Sequence, residues 1–525
     1  MPNFIVSVTA FLLLFLIPSS AHTQGPSGPA LATEGNYSAA QKEPRYLAFI
    51  SDFHAGLGKQ PDGRWQPTED FRWPRALAGF LAELSRWGGD TVDLVIVGDF
   101  LELWQPPAHI KCEGRSAELG CTLDEMEEIT RLVVAAHPTL FVALRDFSRR
   151  GDNRVHLIPG NHESTLLYEK VWGPVAAALG ADSGRINLVR SGIWSSNDGR
   201  IVAEHGHQIG ADVNRYATWP DIVQRVDGID YVARPWGERF VQRLFNAEEV
   251  HYPIIDNLSP EAAGARYRMA DRGLWGSAGD VARFLSFNLF ETSLSQTLAL
   301  LGPTERGRVQ WSVRAGRRLG ANLFMDALAP SDPFAIELRA DTPEALAVRS
   351  ELAAMAADAD RLGDDEVRML CDQIAIRKKT AVCIEGTLGA TAQSTLYSKE
   401  QVMQRHFRER LAQFPRMRTF IYGHTHQYEK RWPVRVRDST LVSVMNTGAF
   451  QRLVGDAGFL KRLRGRSPQE GLRTMSPEDL APCYTAVLVE PADAGRIATP
   501  RLIAWHMDED DGPGTVIDPA DARCQ

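Results

Sequence analysis

Five short stretches of this chain each place a metal-type ligand just after an apolar run. The runs are 46–50, 92–97, 155–158, 201–203 and 419–422; behind them come Asp52 and His54, Asp99, Asn161, His205, and His424 with His426. Each run is strand-length, rich in β-branched and aromatic residues, and closed by glycine or a polar turn. Helical patterns lie between them, for example at 75–87 and 123–136. Strand–loop–helix alternation predicts an α/β fold with its site on loops at strand carboxyl ends. Segments 442–445 and 484–489 read as late strands that complete a second sheet.

The chemistry of those residues is specific only in combination. Two neighbouring divalent ions need oxygen and imidazole ligands from several rigid strand ends, one carboxylate shared between them, and an open face for substrate. Asp52 and His54 alternate along one segment and can turn to one ion. Asp99, behind Gly98, is the natural bridge, because glycine lets the backbone approach closely. Asn161 offers a neutral amide oxygen, and His205, His424 and His426 supply imidazoles. Such a set, with no thiolate, suits Mn, Fe or Zn, with Mn favoured. It points to a hydrolase of phosphate esters or anhydrides.

Composition sets the surroundings of that site. With 525 residues, 44% hydrophobic and 24% charged, the chain can bury a sizeable core. The balance of 58 basic against 66 acidic residues, a net charge of −8, speaks against a nucleic-acid polymer as partner. A small or medium-sized phosphorylated substrate is compatible with it, since bound metals reverse the local charge. No protein partner is predicted.

Residues 1–21 carry no charged side chain, are apolar over 4–17, and end in Ser19-Ser20-Ala21, which reads as a signal peptide. Export to a periplasm or the exterior is expected, with an uncleaved membrane anchor as the alternative. Residues 22–45 read as a flexible leader. The core is expected over 46–210 and again over 401–525, with a mainly helical insertion at 211–400. That insertion, with helical spacing at 281–301, 343–357 and 365–376, is either structural decoration or a substrate-selecting lid. Its apolar stretch 284–301 allows peripheral contact with a membrane. Six cysteines without C-x-x-C fit an oxidising compartment, and proximity suggests Cys112–Cys121, Cys371–Cys383 and Cys483–Cys524.

Asp52-Phe-His54, Gly98-Asp99-Phe-Leu-Glu102, Gly160-Asn161-His162-Glu163, His205-Gly-His207 and Gly423-His424-Thr-His426 occur in this order. The pattern resembles the calcineurin-like metallophosphoesterase superfamily over roughly 46–210 and 415–450. The resemblance implies a four-layer α/β/β/α sandwich around two metals. One ion would take Asp52, His54, Asp99 and His426; the other would take Asp99, Asn161, His205 and His424. It further implies that hydroxide held between the ions attacks phosphorus, with His162 facing the substrate and Glu102 orienting that histidine.

Within that superfamily the sequence looks nearest to UDP-2,3-diacylglucosamine hydrolase-like enzymes. Gly98-Asp-Phe-Leu-Glu-Leu-Trp104 and Asn446-Thr-Gly-Ala-Phe450 are similar to their blocks. Tyr216 is the match to a substrate-contacting tyrosine, and His207, where those enzymes carry Asp, is a second candidate substrate contact. Leu103-Trp104 after Glu102 lacks the Arg of the protein phosphatases, and Glu102 stands where purple acid phosphatases carry a tyrosine ligand. The expected activity is cleavage of a phosphodiester or pyrophosphate in a nucleotide- or lipid-linked substrate outside the cytoplasm. A phosphate-scavenging monoesterase is the alternative, and a non-catalytic binding protein on a relic fold is a third reading.

Overall fold

The computed structural model describes residues 45–259 and 399–524, apart from 117, 182–183, 210–213, 236, 239–240, 243–245, 438–439, 492–498 and 508–512. The leader segments, the helical patterns at 281–301, 343–357 and 365–376, and the pair Cys371–Cys383 lie outside the described residues.

In chain order the strands are β1 (Tyr46–Ile50), β2 (Val92–Val97), β3 (Leu119–Thr122), β4 (Arg154–Ile158), β5 (Ile186–Leu188), β6 (Ile193–Ser195), β7 (Ile201–Glu204) and β8 (Val223–Val226). They continue as β9 (Ile229–Ala233), β10 (Leu258–Ser259), β11 (Thr419–Tyr422), β12 (Glu429–Arg437), β13 (Thr440–Asn446), β14 (Val454–Gly455), β15 (Cys483–Val489), β16 (Arg501–Met507) and β17 (Gly514–Ile517). A seven-stranded sheet has the order β17-β16-β15-β1-β2-β4-β5, and a five-stranded sheet the order β12-β13-β11-β7-β6. The chain is therefore mixed α/β, with β1, β2, β4 and β5 parallel and β7, β11 and β13 parallel.

Strand periodicity explains why β1 and β2 read as unbroken apolar runs. Tyr46, Ala48 and Ile50 face one core, together with Val92, Leu94 and Ile96. Their neighbours Leu47, Phe49, Val95 and Val97 face another, shared with Trp194, Ile201, Ala203, Ile421 and Met445 of the second sheet. Both faces are covered, so polar alternation is absent. Helices α1 (Pro74–Trp87), α2 (Leu123–Ala136), α3 (Pro138–Arg149) and α4 (Glu169–Leu179) pack on the first core. Helix α2 is started by a capping box between Thr122 and Glu125. On the far side of the second sheet, Met403 and Phe407 of the helix Lys399–Gln413 pack against Val202, Phe420 and Val444.

One expectation is corrected. Segment 484–489 does not complete the second sheet; as β15 it pairs antiparallel with β1 in the first, Leu47 opposite Val489. An apolar run marks a buried strand but not its partner. Segment 442–445 does join the second sheet, as β13 beside β11.

The described part of the insertion reaches the core. Strand β9 pairs with β3 and β8 in a small sheet, and β10 pairs with β14. The Asn246 amide donates to the Trp104 carbonyl at 3.4 Å, and the Gln105 amide to Glu249 at 3.1 Å. Disulfides join Cys112 to Cys121 and Cys483 to Cys524, a pairing suited to an oxidising compartment. Among the described residues no helix is long and apolar enough to cross a membrane.

Candidate metal centre

Five parallel strands, β1, β2, β4, β7 and β11, deliver the seven candidate ligands from their carboxyl ends. The loops are laced to one another through the backbone. Asp52 N–H donates to the Gly98 carbonyl, and the Phe53 and His54 amides both donate to the Asp99 carbonyl. The Gly423 amide donates to the His205 carbonyl, and the His424 amide to both Asp52 carboxylate oxygens at 3.1 Å. Asp52, His54, Asp99, His424 and His426 all have positive φ, between 48° and 74°. Non-glycine residues rarely adopt that region, and such strain collects at functional sites. The glycine before Asp99 is required sterically: a Cβ on Gly98 would lie 2.3 Å from His205 Nδ1.

The ligands converge as two groups with Asp99 between them. Asp52, His54 and His426 present ligand atoms within 4.8 Å of one another, and so do Asp99, His205 and His424. Asp99 Oδ2 stands 3.0 Å from His205 Nε2 and 3.5 Å from His54 Nε2. Asn161 Oδ1 lies 3.1 Å from the same His205 nitrogen. His426 Nε2 is 3.0 Å from His54 Nε2 and 3.6 Å from Asp52 Oδ1.

Hydrogen bonding fixes which nitrogen of each ring faces inward. His205 Nδ1 sits 2.7 Å from the Val97 carbonyl, which can only accept, so Nδ1 carries the proton and Nε2 turns a lone pair inward. His54 Nδ1 donates in the same way to Glu102 at 3.0 Å. The result is a buried convergence of acceptors: Nε2 of His205, the Asp99 carboxylate and the Asn161 amide oxygen. Acceptors packed this way repel one another unless a cation lies among them, so the donor set fits metal ions. At His54 burial would lower the imidazole, but Glu102 and Asp99 outweigh it and hold it well up, so a cation bound there takes the place of a proton. Burial pushes the Asp52 carboxyl up; Asp99, though equally buried, is held well below the usual range by His205 and His162.

Glu102 holds two histidines. Its carboxylate also accepts from His162 Nδ1 at 2.5 Å and from the Trp104 amide at 2.6 Å. Burial alone would raise this carboxyl, but His162 and His54 outweigh it and draw it down to about 2. His162 stacks on Trp104, ring centroids 4.0 Å apart, and its side chain is 14% exposed against 2% for Glu102. It is thus the partly open member of the group.

His207 and Tyr216 differ from the rest. His207 is buried against Trp219, ring centroids 4.6 Å apart, and 5.5 Å from the His205 ring. Burial, then the nearby His205 and His424, holds its imidazole well below its ordinary range. Tyr216 is buried, its hydroxyl shared with Ser164 Oγ at 2.7 Å and donating to the Asn161 carbonyl at 3.2 Å. That places it under the Asn161 loop, bracing the backbone of a candidate ligand.

Several supporting residues had no role assigned from sequence, although Glu163 and Asn446 lie inside the blocks 160–163 and 446–450. Glu163 is buried, and its carboxylate accepts the Gly160 amide at 2.7 Å, closing the Asn161 turn; burial and the Asp99 charge push its carboxyl well up. Asn446 donates to the Gly423 carbonyl at 2.8 Å and to Thr425 Oγ1 at 3.0 Å, and accepts the Gly448 amide at 2.8 Å, so it clamps the His424 loop. Asp70, Glu249 and Asp256 form an acidic group close enough to feel Glu102; burial pushes all three carboxyls up, helped by the Asp256 charge at Asp70 and Glu249 and by the Glu102 charge at Asp256, where the hydrogen bond with Asp70 pulls the other way. A separate cluster with metal-type side chains, Cys483, His506 and Cys524, has its two sulfurs joined in the disulfide. Neither a family model nor a curated protein matches the chain.

Proposed function

We propose that the protein is an exported binuclear-metal phosphohydrolase of the calcineurin-like metallophosphoesterase type, cleaving a phosphodiester or pyrophosphate bond. The observation that carries the reading is the position of Asp99 Oδ2, within 3.5 Å of imidazole nitrogens from both ligand groups. A carboxylate so placed suits the bridge of a metal pair. The packing of helices, sheet, sheet and helix supports the four-layer sandwich of that superfamily.

Asp52, His54, Asp99 and His426 would hold one ion, and Asp99, Asn161, His205 and His424 the other. Manganese is the favoured activating ion. Bound there, two divalent ions would supply Lewis acidity and an activated water. Only two of the seven ligands are carboxylates, so the occupied centre keeps net positive charge toward a phosphate.

The remaining work falls to the side chains. Glu102 occupies His162 Nδ1, so Nε2 is the atom left to steady developing charge or to protonate the leaving oxygen. Trp104 keeps that ring from swinging away. His207, held neutral, and Trp219 form an apolar wall beside His205 and suit the non-phosphate part of a medium-sized substrate.

The test is turnover of bis-p-nitrophenyl phosphate by purified protein with Mn²⁺, run beside p-nitrophenyl phosphate. The expectation is diesterase activity that falls about 100-fold or more in His162→Ala and Asn161→Ala. No turnover, or turnover unchanged in both variants, contradicts the proposal. Faster cleavage of the monoester would turn the reading to phosphate scavenging.

A further inference from the structure

A cavity of about 560 Å³ opens away from the metal centre, and none of the seven candidate ligands lines it. The first residues of two helices meet there: Trp73, Pro74 and Arg75 at the start of α1, His137 and Pro138 at the start of α3. Both helices begin with proline, neither has a side-chain cap, and neither first turn contains an acidic residue. Helix N-termini favour anions, and here those of helices of 14 and 12 residues meet at one space, beside the last residue of α2, Ala136, and with Glu478 as its one lining carboxylate.

The side chains add charge and flat apolar surface. Lys59, Arg72 and Arg75 line the cavity against a single carboxylate, Glu478, which Arg72 engages at 2.9 Å and 3.0 Å. Lys59 and Trp65 face each other across a small hairpin, closed by the Gln66 amide donating to the Gly58 carbonyl at 2.9 Å. Trp65 is half-buried, with the Lys59 ammonium 4.7 Å from its ring. Trp73 forms part of the wall. It is only 7% exposed, yet its indole N–H is buried with no hydrogen-bond partner among the described residues. A buried donor left unsatisfied is costly, and an acceptor brought by a ligand would relieve it.

We propose that this cavity is a second binding site for an organic anion that carries a planar ring, of the nucleoside monophosphate class. The anionic group would lie at the two helix starts beside Arg75 and Lys59, and the ring against Trp65. The site has a physical line to the metal centre. His137, the residue before α3, reaches the Gly56 carbonyl at 3.1 Å, and Gly56 follows His54 by two residues. Glu69, buried beneath the same loop, accepts the Gly58 amide at 2.6 Å and lies 3.3 Å from His137 Nε2. Occupancy would therefore stiffen the loop that carries Asp52 and His54.

The probe is a non-hydrolysable phosphonate analogue of adenosine monophosphate, titrated by calorimetry and tryptophan fluorescence into the full chain loaded with Mn²⁺. Inorganic phosphate is titrated in parallel. Saturable binding with fluorescence quenching is expected, weakened about ten-fold or more in Trp65→Ala and in Arg75→Glu. Inorganic phosphate should bind at least about ten-fold more weakly, lacking the stacking ring. Metal content and melting temperature read on the same variants should match the parent, which separates loss of the site from loss of the fold. Three results would overturn the proposal: no binding, binding untouched by both variants but lost in Asn161→Ala, or phosphate binding as tightly as the analogue with the same loss in Arg75→Glu.

Discussion

Substituting Gly160 with alanine should empty the proposed metal centre with little harm to the fold. Gly160 does not have positive φ, so alanine is acceptable to its backbone. Space is what forbids it: a Cβ there would lie 2.1 Å from Asp99 Oδ1 and 2.4 Å from the Asp99 amide nitrogen. An ordinary Cβ contact begins near 3.4 Å, so the overlap is about 1.3 Å. Asp99 cannot yield quietly. Its carbonyl accepts the Phe53 and His54 amides at 2.8 Å and 3.0 Å, and its carboxylate accepts the His162 amide at 3.1 Å. Relief must therefore move the shared carboxylate by about 1 Å, a misplacement worth roughly 100-fold in rate. Overpacking should cost about 1–3 kcal/mol of stability. The assay is metal affinity by competition with a chelator, with diester hydrolysis and melting temperature on the same sample. Gly173→Ala in α4, where a Cβ meets nothing within 4 Å, is the control. Parent-like metal affinity and rate in Gly160→Ala would refute the argument that Asp99 must occupy this position.

Other consequences are open to measurement. Asn446→Ala should lower metal affinity about 10–100-fold, since its three hydrogen bonds hold the His424 loop; unchanged affinity would show that the loop stands without this clamp. Burial would raise the Glu204 carboxyl, but His406 and Arg410 draw it down to about 2 from 4.5, so it stabilises the fold above pH 4.5 by about 3 kcal/mol. That stability should disappear as pH falls from 4.5 through 2, and Arg410→Met should shift the acid-unfolding midpoint upward; equal midpoints would contradict it. Replacing Cys112 and Cys121 with alanine should cost about 2–3 kcal/mol in urea unfolding, loosening strand β3, which pairs with β9. No change in the midpoint would assign that disulfide no structural part.

Sequence reveals the elements of this fold better than their partners. Strands β1 and β2 were legible because burial on both faces forces an unbroken apolar run, and α2 because Thr122 and Glu125 mark its start. Pairing was not, since nothing in 484–489 tells a strand which edge to join. The candidate ligands were legible because glycine and aspartate or histidine follow strand ends in a fixed rhythm. The strained backbone at Asp52 or His426 was not, because positive φ at such residues is imposed by the loops around them. Glu102 shows the same division: its link to His162 was expected, whereas its equal hold on His54 needed coordinates. The acidic group of Asp70, Glu249 and Asp256 joins residues far apart in the chain, with no spacing to announce it.

The most direct measurement is anomalous X-ray diffraction from crystals grown with Mn²⁺, recorded at the manganese edge. Two peaks are predicted, sharing Asp99, one reached by Asp52, His54 and His426 and the other by Asn161, His205 and His424. A single peak away from Asp99, or none at full occupancy of the protein, would contradict a binuclear centre and the phosphohydrolase reading built upon it.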